Sequence, residues 1–155
     1  MVSLTPFLWF DDDAEQALDF YASVFADSEV VDVARMDVPT MPEGNFVIGT
    51  IRIENLTLMI MNGGPTFRLS EAFSLVVSCA DQGEVDYYWS ALGEGGEPSE
   101  CGWLKDRFGL SWQVIPRLLT ELLGDPDQVR SARVRDAMLA MTKIECDKLQ
   151  VAYDG

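Results

Sequence analysis

The chain has 155 residues, 48% of them hydrophobic and 24% charged, and a net charge of −15 with only 11 Lys and Arg. That length suits one domain with a sizeable core, and no apolar run approaches the roughly 18 residues a membrane span needs. So few basic residues leave no patch for nucleic-acid phosphates or an anionic membrane, so neither is expected as a partner.

Leu4 to Phe10 is short, apolar and aromatic, which predicts a strand. Asp12 and Glu15 have the spacing of an acidic capping box, and the helix that follows aligns Ala14, Ala17, Leu18, Tyr21 and Val24 on one stripe. The Asp11-Asp12-Asp13 run reads as charge favouring the positive end of a helix dipole rather than as a metal cluster. Val30 to Val38 is a β-rich run ended by Pro39 and Pro42. Phe46 to Ile53 and Leu56 to Met61 predict two more strands joined at Glu54-Asn55, and Asn62-Gly63-Gly64-Pro65 closes the segment as a loop.

The pattern then returns. Asp86-Tyr87-Tyr88 repeats Asp19-Phe20-Tyr21 at a spacing of 67 residues. Ala72 to Cys79 is the second first strand, Asp81 and Glu84 repeat the acidic cap, and Val85, Tyr88, Trp89 and Leu92 face inward. Gly93-Glu94-Gly95-Gly96 follows a helix rather than a strand and so reads as a turn, not a phosphate loop. Gly102 to Phe108 and Leu110 to Ile115 form a hairpin about Gly109. Here Thr57, Leu58 and Met59 match Ser111, Trp112 and Gln113 at a spacing of 54, so the second copy is 13 residues shorter. Each copy is β–α–β–β–β. Two copies are too few for a solenoid and imply a pseudo-twofold α+β domain with a ligand site on its internal face. A helical tail follows: Pro116 to Leu123 with a first-turn proline, a helix opening at Asp125-Pro126-Asp127 and reaching about Met141, and a last one from Lys143 to Tyr153. The expected organisation is a single domain over 1–155, with module one at about 4–64, module two at about 72–116 and the tail at about 116–153.

Histidine is absent. Ser-His-Asp and Cys-His catalysis are thereby excluded, and acid–base work falls to Asp, Glu, Lys, Tyr or Cys. Cys79, Cys101 and Cys146 have no CxxC spacing and read as reduced, structural thiols of a cytoplasmic protein. The residues MVSLTPFLWFDDD carry no export signal. Lys105 and Arg107 alternate with Trp103 along one strand, a face able to hold an anion, although pairing with Asp106 or surface acids is the commoner outcome.

Three stretches together carry a family resemblance: TPFLWFDDDAEQALDFYASVF from Thr5, DQGEVDYYWSAL from Asp81, and CGWLKDRFGLSWQVIP from Cys101. From about Leu4 to Leu149 the chain resembles the PhnB-like branch of the vicinal oxygen chelate superfamily. That superfamily includes glyoxalase I, bleomycin-resistance proteins and extradiol dioxygenases; the branch also carries the label 3-demethylubiquinone-9 3-methyltransferase-like. The resemblance implies βαβββ modules whose curved mixed sheets enclose a cavity, and a homodimer. In metal-using relatives the ligands are His or Glu on the first and last strand of each module. Those positions fall at Met59 and Gln113 on the last strands, and at Thr5 or Phe7 and Ala72 or Ser74 on the first. None offers an imidazole or a carboxylate, so no metal centre and no cofactor are expected. Gln113 is expected to hydrogen-bond a small-molecule ligand, with Ser74, Met59, Thr5 or Phe7, and Trp103 around it. Binding without turnover, as in bleomycin-resistance proteins, is the first expectation. A metal-independent enzyme and a ligand-free dimeric scaffold are the alternatives.

Overall fold

The computed structural model describes residues 1–42 and 44–155. They divide into two compact units, Met1–Leu69 and Ser70–Gly155. In the first, β1 (Phe7–Phe10) leads through α1 (Ala14–Val24) to β2 (Ser28–Met36), β3 (Phe46–Ile53) and β4 (Leu56–Asn62). The sheet order is β1-β4-β3-β2, with β1 and β4 parallel and the other pairs antiparallel. Pleating sends alternate residues to opposite faces. Leu8, Phe10, Ile51, Ile53, Leu58 and Ile60 are thus buried with α1 residues Ala14, Ala17, Leu18, Tyr21 and Val24. Each large aliphatic side chain so buried stabilises the fold by about 1.5–3 kcal/mol.

The expected Asp12–Glu15 capping box does not form. Asp13 is the N-cap and makes no side-chain cap bond. The helix's first N–H, that of Ala14, donates to Asn62 Oδ1 at 2.8 Å. Asn62 is buried and is the register partner of Phe10, so the last strand reaches across to cap the helix that the first strand feeds.

The second unit repeats the plan with β5 (Ser74–Cys79), α2 (Gln82–Gly93), β6 (Glu97–Pro98), β7 (Trp103–Lys105) and β8 (Ser111–Pro116). Its order is β5-β8-β7-β6, again with first and last strands parallel. Here the predicted acidic cap forms: Glu84 N donates to Asp81 Oδ1 at 3.0 Å, and the Glu84 carboxylate reaches one residue past the N-cap, where Oε2 accepts from Ala80 N at 2.6 Å. The hairpin differs from expectation, because β7 stops at Lys105 and β8 starts at Ser111. The turn between them is built on Asp106, which is 3% exposed. Its Oδ1 accepts from Phe108 N and Leu110 N at 2.9 and 3.0 Å, and its Oδ2 from Trp112 Nε1 at 2.8 Å.

The tail forms α3 (Arg117–Leu123), α4 (Gln128–Leu139) and α5 (Cys146–Asp154). Pro116 is the N-cap of α3, not a first-turn residue, since it also ends β8. Leu119, Leu122, Val134, Ile144 and Leu149 form the tail's apolar core. Cys101 N and Gly102 N donate to Met141 O and Thr142 O, both at 2.8 Å, which fastens the tail to the corner that opens β7. Gly102 has φ +82°, and a Cβ there would lie 2.9 Å from Val114 O, so only glycine fits. Among the described residues no helix is long and apolar enough to cross a membrane.

Candidate ligand-binding site

The sheet face turned away from α2 gathers the polar side chains of the second unit. Register places Lys105 beside Ser111, Ser111 beside Ser74, and Trp103 beside Gln113. Gln113 Nε2 donates to Ser74 Oγ at 2.9 Å, which joins two of the residues singled out by sequence. Trp103, half-buried, stands next to them. Trp112 points the other way, into the core.

Lys105 does not wait for an anion. Its Nζ lies 2.6 Å from Glu71 Oε1. The hydrogen bond to Lys105 holds the Glu71 carboxyl below the usual carboxylate range, and the same bond raises the Lys105 ammonium. Arg107 lies outside the strand and reaches the backbone carbonyl of Glu94 at 3.0 Å. A cavity of about 130 Å³ opens on this face, lined by Glu71, Glu97, Ser99, Trp103, Lys105 and Ser111.

Ser111 is the residue that sequence reasoning passed over. It is 1% exposed, and its Oγ has no hydrogen-bond partner among the described residues. Two spacings, 67 for first strands and 54 for last strands, set Ser74 against Gln113 by analogy with Phe7 against Met59. In the first unit Phe7 does pair with Met59. In the second, Ser74 pairs with Ser111 and Gln113 with Val76, a slide of two residues. Period-two alternation from Gln113 was the signal that could have found Ser111.

The corresponding face of the first unit is apolar. Phe7 and Trp9 on β1 lie beside Met59 and Met61 on β4, with Ile48 and Thr50 on β3. Thr5 and Ala72 precede their strands and are exposed, so Phe7 and Ser74 are the first-strand residues on these faces. Trp9 Nε1 donates to Gly64 O at 2.8 Å, and its ring lies so close over Gly63 that a Cβ there would fall 2.2 Å from it. A cavity of about 610 Å³ is lined by Trp9, Asp11, Asp12, Phe46 and Met61, among others.

The cysteines are free. Burial, then the Glu84 charge, pushes the Cys79 thiol up to about 12. Burial also raises Cys146.

Two β–α–β–β–β units, each with its first strand parallel to its last, define the vicinal oxygen chelate fold. Residues 2–115 match the family described as 3-demethylubiquinone-9 3-methyltransferase, and the chain belongs to that family. The PhnB protein of Bacillus cereus, which bears the same label, is 30% identical, with a TM-score of 0.67 over 74% of this chain and 99% of its own. A Pseudomonas aeruginosa protein shares the fold at 19% identity and a TM-score of 0.58, over 75% of this chain and 98% of its own. The fosfomycin resistance protein FosX of Listeria monocytogenes shares it at 17% identity and 0.57, over 80% and 98%. No curated protein matches. Helices α3–α5 lie beyond the residues that the family matches.

The superfamily implies a metal, and the donor chemistry can be tested. Phe7 and Met59 offer a phenyl ring and a thioether. Ser74 and Gln113 offer a hydroxyl and a carboxamide already bonded to each other. Divalent cations of this superfamily take imidazole and carboxylate, so these positions do not fit one. Among the described residues no group of three or more His, Cys, Asp or Glu is placed to hold an ion.

Proposed function

We propose that the chain is a small-molecule-binding protein of the vicinal oxygen chelate fold that works without a metal centre. The observation that supports this reading is the Gln113–Ser74 hydrogen bond, which puts a carboxamide and a hydroxyl where the family resemblance implies metal ligands. Gln113 engages one ligand group directly, and Trp103 supplies a flat apolar wall. Within the first unit, Phe7 and Met59 offer an apolar face of their own. The methyltransferase label does not suit this site. The strand-to-helix turns read Asp11-Asp12-Asp13 and Ala80-Asp81, with no glycine to let a backbone approach a nucleotide. The reading extends to a cytoplasmic homodimer, which sedimentation of the purified protein checks.

A thermal-shift screen of small metabolites, with and without Zn, Ni, Mn or Fe salts, tests the proposal. Stabilisation by an organic compound, unchanged by chelator, is expected. Strong stabilisation by a metal salt alone overturns the metal-free reading. Conversion of a hit into product would make the protein an enzyme.

A further inference from the structure

Resting on that reading, we propose that Ser74, Ser111 and Gln113 form a subsite for a neutral group that both donates and accepts hydrogen bonds. A primary carboxamide or a hydroxyl meets that description; a carboxylate or phosphonate does not. Ser111 opens the case. A buried hydroxyl without a partner costs about 1–3 kcal/mol, and its residue lines the 130 Å³ cavity. Its neighbours are under-used as well. Among the described residues the Gln113–Ser74 bond is the one hydrogen bond that either side chain makes. With Gln113 Nε2 donating to Ser74 Oγ, the Gln113 Oε1 acceptor and the Ser74 hydroxyl proton are left open. Ser111 lines the cavity, and register sets Ser74 beside Ser111 and Gln113 beside the cavity-lining Trp103, so three neutral side chains with unfilled donors and acceptors adjoin one small space.

Charge decides against an anion. Glu71 and Glu97 flank Lys105 in the cavity wall, and the ammonium is already spent on Glu71 at 2.6 Å. Those three groups sum to −1, on a chain whose net charge is −15. An incoming carboxylate would have to displace Glu71 and enter a negative field. A bare ammonium would meet Glu71 and Glu97 but has no lone pair to accept the Ser111 O–H. The cavity volume holds a group of a few heavy atoms, so only the end of a ligand enters.

The test is an NMR titration of the full chain with acetamide, acetate and methylammonium, followed through the backbone amides of Trp103, Lys105, Ser111 and Gln113. Saturable shifts with acetamide, and none of that size with the two ions, are expected. Ser111→Ala is expected to weaken acetamide at least fivefold while the thermal midpoint stays level or rises, because the mutation removes an unsatisfied group. Ser74→Ala provides a second variant with the same expected loss. Equal or tighter binding of acetate overturns the neutral subsite, as does acetamide binding that ignores Ser111→Ala. A fall of several degrees on Ser111→Ala shows a structural hydroxyl and also overturns it. These failures leave the binding-protein reading standing if larger ligands still depend on Gln113. Absence of any response on this face to fragments or screen hits removes both.

Discussion

The two sheets share a strand order and differ in what they show on the face their helix leaves bare. The first unit presents Phe7, Trp9, Met59 and Met61; the second presents Ser74, Ser111, Gln113 and Lys105. Helix-facing residues are apolar in both, because the fold requires it of both. Outward positions carry no such requirement, so they record what each half has been used for. The first unit's face offers apolar contact area and the second unit's face offers hydrogen bonds.

The largest expected effect lies where the halves turn differently. Asp106→Ala strips three donors of their acceptor in the second hairpin and should cost about 3 kcal/mol in denaturant unfolding. The first hairpin needs only the Glu54-Asn55 turn and has no such residue to lose. Asn62→Ala should cost about 1–2 kcal/mol by uncapping α1 from the far strand. Asp81→Ala, which removes a local cap of α2, should cost about 1 kcal/mol. Gln113→Ala should weaken ligand binding while lowering stability by no more than about 1 kcal/mol. Unfolding instead would place Gln113 among the core residues and dissolve the contrast between faces.

Two smaller effects follow pH. The Cys79 thiol titrates in the unfolded chain near 9.0 and in the folded chain near 12. Folding therefore holds the proton more tightly, and this contribution is complete below pH 9.0 and is lost as pH rises toward 12. Cys79→Ala should flatten that part of the stability profile. Glu71 has the opposite sign: its folded value is lowered from 4.5, so its pairing with Lys105 is present above that pH and is lost on acidification through the lowered value. A carboxyl NMR titration of Glu71 in Lys105→Met should return it toward 4.5.

Periodicity and the Asp-aromatic-Tyr repeat were enough for both modules, since helices and strands announce themselves by which side chains must be buried. The Asp81–Glu84 cap was legible for the same local reason. Its counterpart was not, because Asn62 caps α1 from 48 residues away, and no local spacing encodes that. Gln113 and Ser74 were singled out by aligning the repeats; they hydrogen-bond to each other, although their strands pair two residues away from that alignment. Ser111 escaped because the aligned repeats set Ser74 against Gln113, whereas β8 slides two residues along β5 and sets Ser111 there instead. Asp106 looked like a partner for Lys105 on one strand; the turn's backbone amides claim its Oδ1 and the Trp112 indole claims its Oδ2.

The join at Cys101 and Gly102 reaches further than its two bonds suggest. Both amides give their protons to carbonyls that lie after the last residue matched by the family. The corner that leads into β7 is thus fastened by a segment outside the residues matched by the family. Grafting a ligand pose from a shorter cousin onto this chain would borrow the frame and miss the hand that sets its window.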